Sequence, residues 1–215
     1  MTPLSHDQYR SLRADAQVIE ADGHGEKVLR LADGTFVKLF RRKRLISSAL
    51  FYPYAKRFAD NIEALKNRGI ACPSVIGVYR IAMLQRDLVH YVPLQGKTLR
   101  QIDDPTERLA LRARFGAFVA ELHNKGIYFR SLHLGNVVLG ENGVLGLIDI
   151  ADLSAGRRTL SKRKRLRNFR HILRYSEDRH WLIDNGDRVF FDSYVLHAKP
   201  AVAMFELTQL LPDAL

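Results

Sequence analysis

The first third of the chain alternates apolar and polar residues in short runs. These runs occupy residues 16–21, 27–31 and 36–40, and the turn sequences DGHGE and ADGT separate them. Alternating runs joined by short Gly-containing turns are typical of an antiparallel meander. After Pro73, the segments SVIGVYRIAML and RDLVHYV predict two more strands. The pattern therefore predicts a five-stranded antiparallel sheet in the N-terminal part of the chain.

Between the third and fourth predicted strands, apolar residues recur every three or four positions, which is the spacing of one helix face. This predicts a helix from about Leu50 to Arg68, with Gly69 at a position that favours the end of a helix. The apolar positions of its buried face are Phe51, Tyr54, Phe58, Ile62 and Leu65.

The second half of the chain has longer helical patterns and only short strand patterns. A helix is predicted to begin after Asp103 or Asp104, with Pro105 in its first turn, and to end at Gly126. A loop over 129–135 precedes the short strands NVVLG and LGLIDI, which the turn ENGV joins. The stretch RRTLSKRKRLRNFRHILRY predicts another helix, and the tail to Leu215 is predicted to be mostly helical. The buried side of the basic helix is predicted to contain Leu166, Phe169, Ile172 and Leu173.

Composition narrows the class of protein. Hydrophobic residues make up 47% and charged residues 27% of the 215 residues, which is typical of a globular chain and not of a disordered one. The single cysteine, Cys72, excludes an intramolecular disulfide and a cysteine-based zinc site. No apolar run approaches the roughly 18 residues of a membrane span. The polar N-terminus has no signal-peptide pattern, so we expect a cytoplasmic protein.

The basic excess is concentrated in one segment. The formal net charge is +11, and Arg157–Arg174 contains nine basic residues and no acidic residue. A second basic cluster, RRKR, occupies 41–44. An excess of this kind predicts an anionic partner such as nucleotide, phosphosugar, phospholipid or nucleic acid. The alternative for the long segment is a solvated helix face.

Two features of the N-terminal part are suited to nucleotide phosphates. Gly23 and Gly25 lie in the turn between the first two strands, where glycines allow backbone N–H groups to approach phosphate oxygens; a plain hairpin turn is the alternative. Lys38 lies in the middle of the apolar strand FVKLF, where its ammonium group could hold phosphates or simply point to solvent. Glu63 and Asp60 are the candidate acids that would position Lys38.

Two further features follow the long helix. The loop FRSLHLGN ends at Asn136, whose carboxamide oxygen could bind magnesium, and its His133 could reach a phosphate. Asp149 follows 13 residues later, at the end of an apolar strand. A carboxylate there is costly to bury without a partner. Magnesium is a suitable partner because it takes one or two protein oxygen ligands together with phosphate oxygens.

Three stretches of the chain resemble a known family. The stretches that carry the resemblance are GIYFRSLHLGNVVL, LGLIDIADL and RLRNFRHILRY, and it covers roughly residues 16–175. They resemble the protein-kinase-like fold, in particular the bacterial lipopolysaccharide core kinases, which phosphorylate heptose or Kdo sugars. The subgroup known as toluene tolerance proteins is the most similar part of that family.

The resemblance implies an α+β fold of two lobes. The five-stranded antiparallel N-lobe would occupy about 1–92, the hinge about 91–96, and a reduced helical C-lobe about 97–215. The implied cofactors are ATP and Mg²⁺. By the same resemblance, Lys38 matches the strand lysine, and Tyr91 and Val92 fall in the hinge.

The resemblance also assigns the residues of the loop, with two departures. By the resemblance, Asn136 and Asp149 match the two metal ligands, and His133 stands where sugar and aminoglycoside kinases often have histidine. The family pattern has an aspartate where this chain has Ser131, and a histidine where it has Phe129. That aspartate orients the attacking hydroxyl and accepts its proton. Serine is a much weaker base. The acceptor hydroxyl is predicted to lie around Arg130, Ser131 and His133, with His133 as a candidate substitute base.

Three hypotheses for function remain open. The first is an ATP-dependent phosphotransferase acting on a sugar hydroxyl of lipopolysaccharide core or a related glycan. The second is a pseudokinase that binds nucleotide or serves as a regulatory scaffold, because Ser131 replaces the catalytic aspartate. The third is a basic adaptor for anionic membrane or RNA, although no nucleic-acid motif is present and no nucleic-acid partner is expected. In the first hypothesis, segment 157–174 contacts sugar phosphates or anionic inner-leaflet lipid.

Overall fold

The computed structural model describes residues 1–41, 52–183 and 186–209, which form two units. Unit 1 comprises Met1–Asn67 and Cys72–Leu94, and unit 2 comprises Arg68–Ala71 and Gln95–Leu215, each within the described ranges. Three sequence features fall partly outside them. These are Leu50 and Phe51 of the predicted helix, residues 42–44 of the RRKR cluster, and the last six residues of the tail.

The strands of unit 1 form one six-stranded sheet in the order β1-β5-β6-β4-β3-β2. All neighbours are antiparallel except β1, which runs parallel to β5. The prediction of five antiparallel strands is therefore wrong in number and in direction. The extra strand has only two residues, too few to produce an alternating pattern. The strands are β1 (Thr2–Pro3), β2 (Gln17–Asp22), β3 (Gly25–Arg30), β4 (Phe36–Arg41), β5 (Ser74–Ile81) and β6 (Arg86–Val92).

One face of this sheet is covered by a short helix that the sequence analysis missed, α1 (His6–Arg13). Ser5 caps it by accepting a hydrogen bond from the Gln8 N–H, and the Gln8 side chain accepts one from the Ser5 N–H in return. Tyr9 of α1 packs on the buried side chains of the sheet. That core contains Leu29, Leu31, Val37, Leu39, Ile81 and Leu88.

The opposite face of the sheet packs against α2 (Tyr54–Lys66), which confirms the predicted helix over those residues. Because neighbouring side chains of a strand alternate between faces, Phe40 lies on the opposite side of the sheet from Val37 and Leu39. The Phe58 ring of α2 lies 6.2 Å from that of Phe40 and 5.3 Å from that of Tyr91.

The helices of unit 2 begin with α3 (Pro105–Asn124), whose first turn Asp104 caps by accepting a hydrogen bond from the Glu107 N–H at 2.7 Å. The chain leaves α3 through Gly126, which has φ +75° and no room for a Cβ against the Arg158 carbonyl. Both predicted boundaries of this helix are thus confirmed. The other helices are α4 (Lys162–Ile172), α5 (Ser176–Leu182), α6 (Val189–His197) and α7 (Met204–Thr208).

The main helix pair of unit 2 is α3 with α6. Gly116 of α3 lies directly against the backbone of Phe190, so a Cβ there would clash. The rings of Phe115 and Phe190 stack beside this contact with centroids 5.4 Å apart. A glycine at the crossing allows the two helices to approach closely and bury their aromatic side chains.

Short strands connect these helices. The predicted hairpin is present as β9 with β10, and the unpredicted β7 extends it in the order β10-β9-β7. A second pair, also unpredicted, joins β8 to β11 antiparallel. The strands are β7 (Lys97–Thr98), β8 (Ile127–Phe129), β9 (Val137–Leu139), β10 (Leu145–Leu147) and β11 (Leu153–Ala155), and short 3₁₀ turns cover Leu99–Gln101, Leu134–Asn136 and Ile150–Asp152.

Among the described residues, no helix combines the length and the apolar character needed to cross a membrane.

Candidate active site

The pairing of β8 with β11 positions the loop that the sequence analysis singled out. Phe129, the last residue of β8, pairs with Leu153, the first residue of β11. Arg130 and Ser131 follow β8, and Asp152 precedes β11, at the same end of this strand pair. Ser131 and Asp152 are therefore neighbours although 21 residues separate them in the chain. The Asn168 side chain of α4 donates a hydrogen bond to the Phe129 carbonyl at 2.7 Å and holds the end of β8 in place.

Ser131 and Asp152 form a direct hydrogen bond. The Ser131 hydroxyl donates to Oδ2 of Asp152 at 2.7 Å, and the Arg130 guanidinium lies 3.7 Å from the same oxygen. The other carboxylate oxygen, Oδ1, is buried and has no hydrogen-bond partner. Buried polar atoms are nearly always paired, so an unpaired carboxylate oxygen needs an explanation, and a ligand that donates to it is one. No local sequence pattern distinguishes Asp152 as a site residue.

The orientation of Asn136 is set by two contacts. Its Nδ2 donates to the Ser131 carbonyl at 2.9 Å and lies 3.2 Å from Nε2 of His133. Because a carbonyl oxygen only accepts, the nitrogen of the carboxamide must face Ser131. The carboxamide oxygen is used by neither contact, which suits the predicted role of Asn136 as an oxygen ligand.

His133 carries the second unpaired atom of the loop. Burial, followed by the charge of Arg100, lowers the pKa of its imidazole, while Asp178, Asp149 and Asp152 act in the opposite direction. The ring is therefore neutral near pH 7. If Nε2 accepts from the amide of Asn136, Nδ1 must carry the hydrogen, and Nδ1 is buried without a partner.

An aromatic and ionic cluster packs against the loop through His133 and Leu134. The imidazole of His133 meets the Tyr175 ring edge-on at 5.4 Å, and the Arg100 guanidinium lies 4.8 Å from the centre of the same ring. Arg100 binds Asp178 through two hydrogen bonds of 2.8 and 3.0 Å. Oδ2 of Asp178 also accepts from the Leu134 N–H at 3.1 Å. Arg100, Tyr175 and Asp178 were not identified from sequence, because no motif connects these distant segments.

Asp149 lies two residues beyond β10, close to the same loop. The N–H of the preceding residue, Ile148, donates to the Asn136 carbonyl at 3.0 Å. Asp149 itself has φ +51° and ψ 45°, in the left-handed region that non-glycine residues seldom occupy. The structure thus brings together four of the predicted residues with Asp152. The four are Arg130, Ser131, His133 and Asn136, and the backbone hydrogen bond ties Asp149 to the same loop.

Magnesium can be tested against these donors. Within the described ranges, no group of three or more His, Cys, Asp or Glu side chains could hold a metal ion. The loop instead offers the carboxamide of Asn136 and the carboxylate of Asp149. This small set of hard oxygen donors fits Mg²⁺, which binds through one or two protein ligands and completes its shell with phosphate and water.

In unit 1, the predicted glycine turn is a two-residue hairpin. Asp22 pairs with Gly25, so Gly23 and His24 form the turn, and Gly25 has φ +107°. The His24 N–H donates to Oδ1 of Asp22 at 2.8 Å, and the Arg86 side chain donates to the His24 carbonyl. Part of the turn backbone is therefore already engaged, and phosphate binding by Gly23 and Gly25 stays a prediction.

Lys38 is half-buried on the face of the sheet that packs against α2. Its ammonium group lies 5.9 Å from the centre of the Phe40 ring. The two candidate acids lie elsewhere on the helix surface. Glu63 is exposed and accepts from Asn67 at 3.2 Å, whereas Asp60 pairs with Lys56 at 3.0 Å and with the Tyr52 hydroxyl. The buried polar residue of α2 is Asn61.

The predicted hinge residues end the last strand of unit 1. Tyr91 is half-buried, with its ring 6.0 Å from that of Phe36, and Val92 is 44% exposed. An exposed valine at the end of a strand leaves an apolar surface, which is compatible with a flat ligand such as an adenine ring.

The basic segment is divided between surface and core. Eight of its nine basic side chains are exposed, and Lys162 pairs with Glu206 at 2.5 Å. Arg165 is fully buried, which makes the prediction that it contacts a ligand surface wrong. Its side chain donates to the carbonyls of Leu160 and Lys199 and to three side chains. These partners are Tyr194, Asn124 and Thr159.

Comparison with known proteins identifies the fold. The structure matches a solved aminoglycoside-3'-phosphotransferase of type VIII with a TM-score of 0.69 and 16% sequence identity, over 95% of this chain and 96% of that chain. The chain therefore has a protein-kinase-like fold. The sequence matches no protein-family model and no curated protein.

Proposed function

We propose that this protein is an ATP-dependent phosphotransferase that acts on a sugar hydroxyl, with lipopolysaccharide core or a related glycan as the acceptor. The observation that carries the proposal is the loop after β8, in which Asn136, Ser131 and Asp152 are linked by hydrogen bonds next to Asp149. The similarity to a phosphotransferase of aminoglycosides, which are themselves amino sugars, supports the same reaction class.

The residues of unit 2 divide into two roles in this proposal. Asn136 and Asp149 would hold magnesium, which would neutralise negative charge on the phosphates of ATP. Arg130 and Ser131 would face the hydroxyl that is phosphorylated. His133, neutral and with an unpaired N–H, would donate a hydrogen bond to a phosphate oxygen. In this role His133 is a donor and not a base.

The residues of unit 1 complete the proposal for ATP. Lys38 would contact the phosphates, Gly23 and Gly25 would approach them through the backbone, and Tyr91 and Val92 would lie against the adenine. Glu63 is the weakest member of this set, because its carboxylate is exposed and bonded to Asn67. The division into lobes joined at about 91–96 is part of the same proposal.

Mg-ATP binding is the first test. We expect saturating Mg-ATP to raise the melting temperature, because a ligand at 100 times its Kd adds about 2.7 kcal/mol to stability. Asp149→Asn should abolish the shift. Asparagine suits this control because it tolerates a left-handed backbone better than alanine does. Asp103→Asn, at an exposed position, should keep the shift. The absence of a shift in the natural protein would refute nucleotide binding.

Phosphate transfer is the second test. The natural protein should produce ADP and a phosphate ester when given Mg-ATP with extracted core lipopolysaccharide. Kanamycin, an aminoglycoside, is the comparison acceptor. Transfer to kanamycin alone would move the acceptor class from lipopolysaccharide to aminoglycosides. ATP binding without transfer to any acceptor would favour the pseudokinase, the second candidate function, which Ser131 supports.

The exposed basic side chains of 157–174 suggest where an anionic acceptor or lipid surface would bind. We expect the protein to sediment with phosphatidylglycerol vesicles and not with phosphatidylcholine vesicles. Each basic residue near an anionic surface contributes about 1 kcal/mol, so the double variant R167Q/R170Q should weaken binding by about 30-fold. The binding should also weaken with added salt. Equal binding to both vesicle types would contradict a contact of this segment with the inner leaflet.

A further inference from the structure

Transfer of phosphate to an alcohol needs a group that takes the hydroxyl proton. The residue at the position expected for that group is Ser131, and a lone serine is a poor base. In this structure Ser131 is not alone, because its hydroxyl donates a 2.7 Å hydrogen bond to Oδ2 of Asp152. A hydrogen bond to an ionised carboxylate is stronger than one between neutral groups.

The direction of this bond leaves Ser131 ready for a second partner. An ionised carboxylate can only accept, so the hydrogen of the Ser131 hydroxyl lies toward Asp152. The lone pairs of Oγ then remain to accept a hydrogen bond from another hydroxyl. Ser131 is half-buried, so that part of its surface is accessible, whereas Oδ1 of Asp152 is buried. A bound acceptor would therefore meet the serine oxygen.

We infer that Ser131 and Asp152 together act as a proton relay, which replaces the single aspartate of the kinase pattern. The inference rests on the proposed phosphotransferase function. The acceptor hydroxyl donates its hydrogen bond to Oγ of Ser131, which touches the substrate. Asp152 acts through Ser131 and is a positioning residue that receives the proton at the end of the relay.

The transfer step moves the γ-phosphoryl group of ATP to the acceptor and one proton from the acceptor into the relay. The acceptor oxygen forms a bond to the γ-phosphorus of ATP, and the bond from that phosphorus to the bridging oxygen breaks. ADP leaves with the electron pair of the broken bond. The acceptor proton moves to Oγ of Ser131 while the serine's own proton moves to Asp152. Asp152 then releases its proton to solvent, and the products are a phosphate monoester and ADP.

Two contacts hold the relay in place, and one unpaired oxygen distinguishes Asp152 from a structural residue. The β8–β11 pairing fixes Phe129 opposite Leu153, which sets the distance between Ser131 and Asp152. The Arg130 guanidinium lies 3.7 Å from Oδ2, the same carboxylate oxygen that accepts the hydrogen bond from Ser131. Asp152 leaves its second oxygen unpaired, whereas a purely structural aspartate would be expected to use both.

Four variants test the relay. They are Asp152→Asn, Ser131→Ala, Ser131→Thr and the double variant S131D/D152N, with Asp103→Asn as the control. For each, the rate of ADP formation is measured with core lipopolysaccharide, with kanamycin and with water as acceptor. The melting temperature with and without Mg-ATP shows whether a variant folds and binds nucleotide.

The relay predicts a specific order of activities. Asp152→Asn and Ser131→Ala should each lower kcat by about 10²–10⁴-fold, the usual size of general-base catalysis, with KM for ATP and the Mg-ATP thermal shift unchanged. Ser131→Thr keeps a hydroxyl and should keep most activity. The double variant returns the carboxylate to position 131, with an amide at 152 to donate to it, and should recover most of the loss.

The outcomes separate the relay from the proposed function. Turnover by the natural protein with kcat unchanged in Asp152→Asn or in Ser131→Ala overturns the relay and leaves the phosphotransferase intact. A double variant that folds and binds Mg-ATP but stays as inactive as Asp152→Asn also overturns it, because a merely structural aspartate would give that result. No turnover by a natural protein that binds Mg-ATP refutes the phosphotransferase and the relay together.

Discussion

Two clusters of polar side chains in unit 2 differ in how completely their atoms are paired. The buried cluster consists of His123, Arg165, Asn168 and Tyr194. Each polar side-chain atom in it has a partner; for example, His123 bonds Tyr194 at 2.9 Å through Nδ1 and Asn168 at 3.0 Å through Nε2. The loop cluster consists of Ser131, His133, Asn136 and Asp152, and two of its buried atoms have no partner.

We interpret the complete pairing of the buried cluster as structural, and the two unpaired atoms of the loop cluster as groups left for a ligand. A buried polar atom without a partner costs stability, so a fold that retains two of them in one loop cluster gives up stability there. Natural proteins commonly show this trade at functional sites. Variants of the buried cluster should therefore change mainly stability, and variants of the loop cluster should change mainly ligand binding and activity.

The largest effect is expected for Arg165→Met. The change removes a fully buried guanidinium that donates five hydrogen bonds, two of which are themselves buried. Since each orphaned buried acceptor costs about 1–3 kcal/mol, we expect a loss of about 3 kcal/mol or more in chemical denaturation. Arg163 lies two residues earlier on the same helix and is exposed. Arg163→Met should therefore change stability by less than about 0.5 kcal/mol. Equal effects would mean that Arg165 is not structural.

Arg165 also shows what the sequence could have revealed. Its spacing of four and seven residues from Phe169 and Ile172 puts all three on one helix face. The nine basic residues of the segment nevertheless look alike in composition, and a buried arginine needs carbonyl and side-chain partners that lie far along the chain. The helix itself was predictable from its apolar spacing, whereas the division of its charges required the tertiary structure.

Asp178→Asn should have the next largest effect. The variant keeps its shape but loses the charge that binds Arg100 through two hydrogen bonds. Hydrogen bonds to charged groups contribute about 1.5–3 kcal/mol, and we expect a loss in that range by urea denaturation. Glu177→Gln removes a charge from the same arginine at an exposed position and should cost less than about 0.5 kcal/mol. A larger effect of Glu177→Gln than of Asp178→Asn would mean that Glu177, and not Asp178, is the stabilising partner of Arg100.

The buried cluster should also make stability depend on pH. Burial lowers the pKa of His123 to about 3, while the unfolded chain has an ordinary histidine pKa near 6.5. Between these values the unfolded state binds a proton that the folded state does not. Stability should therefore fall as the pH is lowered from 6.5 toward 3, by up to about 1.4 kcal/mol per pH unit from this group. Denaturation midpoints across that range measure the slope.

His123→Gln should flatten this slope even though it lowers stability at neutral pH. His180→Gln, at an exposed position, should keep it. An unchanged slope in His123→Gln would show that other groups, and not the buried cluster, control the acid sensitivity of the fold.

The smallest effect on stability is expected in the loop cluster. His133→Phe removes a buried N–H that has no partner and keeps a ring against Tyr175. The lost contact with Asn136 and the removed desolvation cost should roughly cancel, so the free energy of unfolding should change by less than about 1 kcal/mol. The increase in melting temperature on adding Mg-ATP should nevertheless shrink. A large loss of stability would place His133 with the structural residues.

The site residues were predictable only where a local sequence pattern indicated them. Asn136 and Asp149 stand out because each is a polar residue next to a short apolar strand. Asp152 is three residues from Asp149, yet its partner Ser131 lies 21 residues earlier. The strands that bring the pair together have three residues each, too few for alternation to reveal them. The five longer strands and the long helices were predictable because each is long enough to show a repeating pattern of apolar residues.

The left-handed backbone of Asp149 has a consequence for laboratory evolution. At φ +51° an aspartate has a less favourable backbone conformation than glycine, which lacks the Cβ atom that causes the steric conflict. A library of this chain screened only for heat resistance should therefore enrich Asp149→Gly. A library screened for growth that depends on phosphate transfer should discard the same change. Comparing the two libraries at this one position would show which property the aspartate serves.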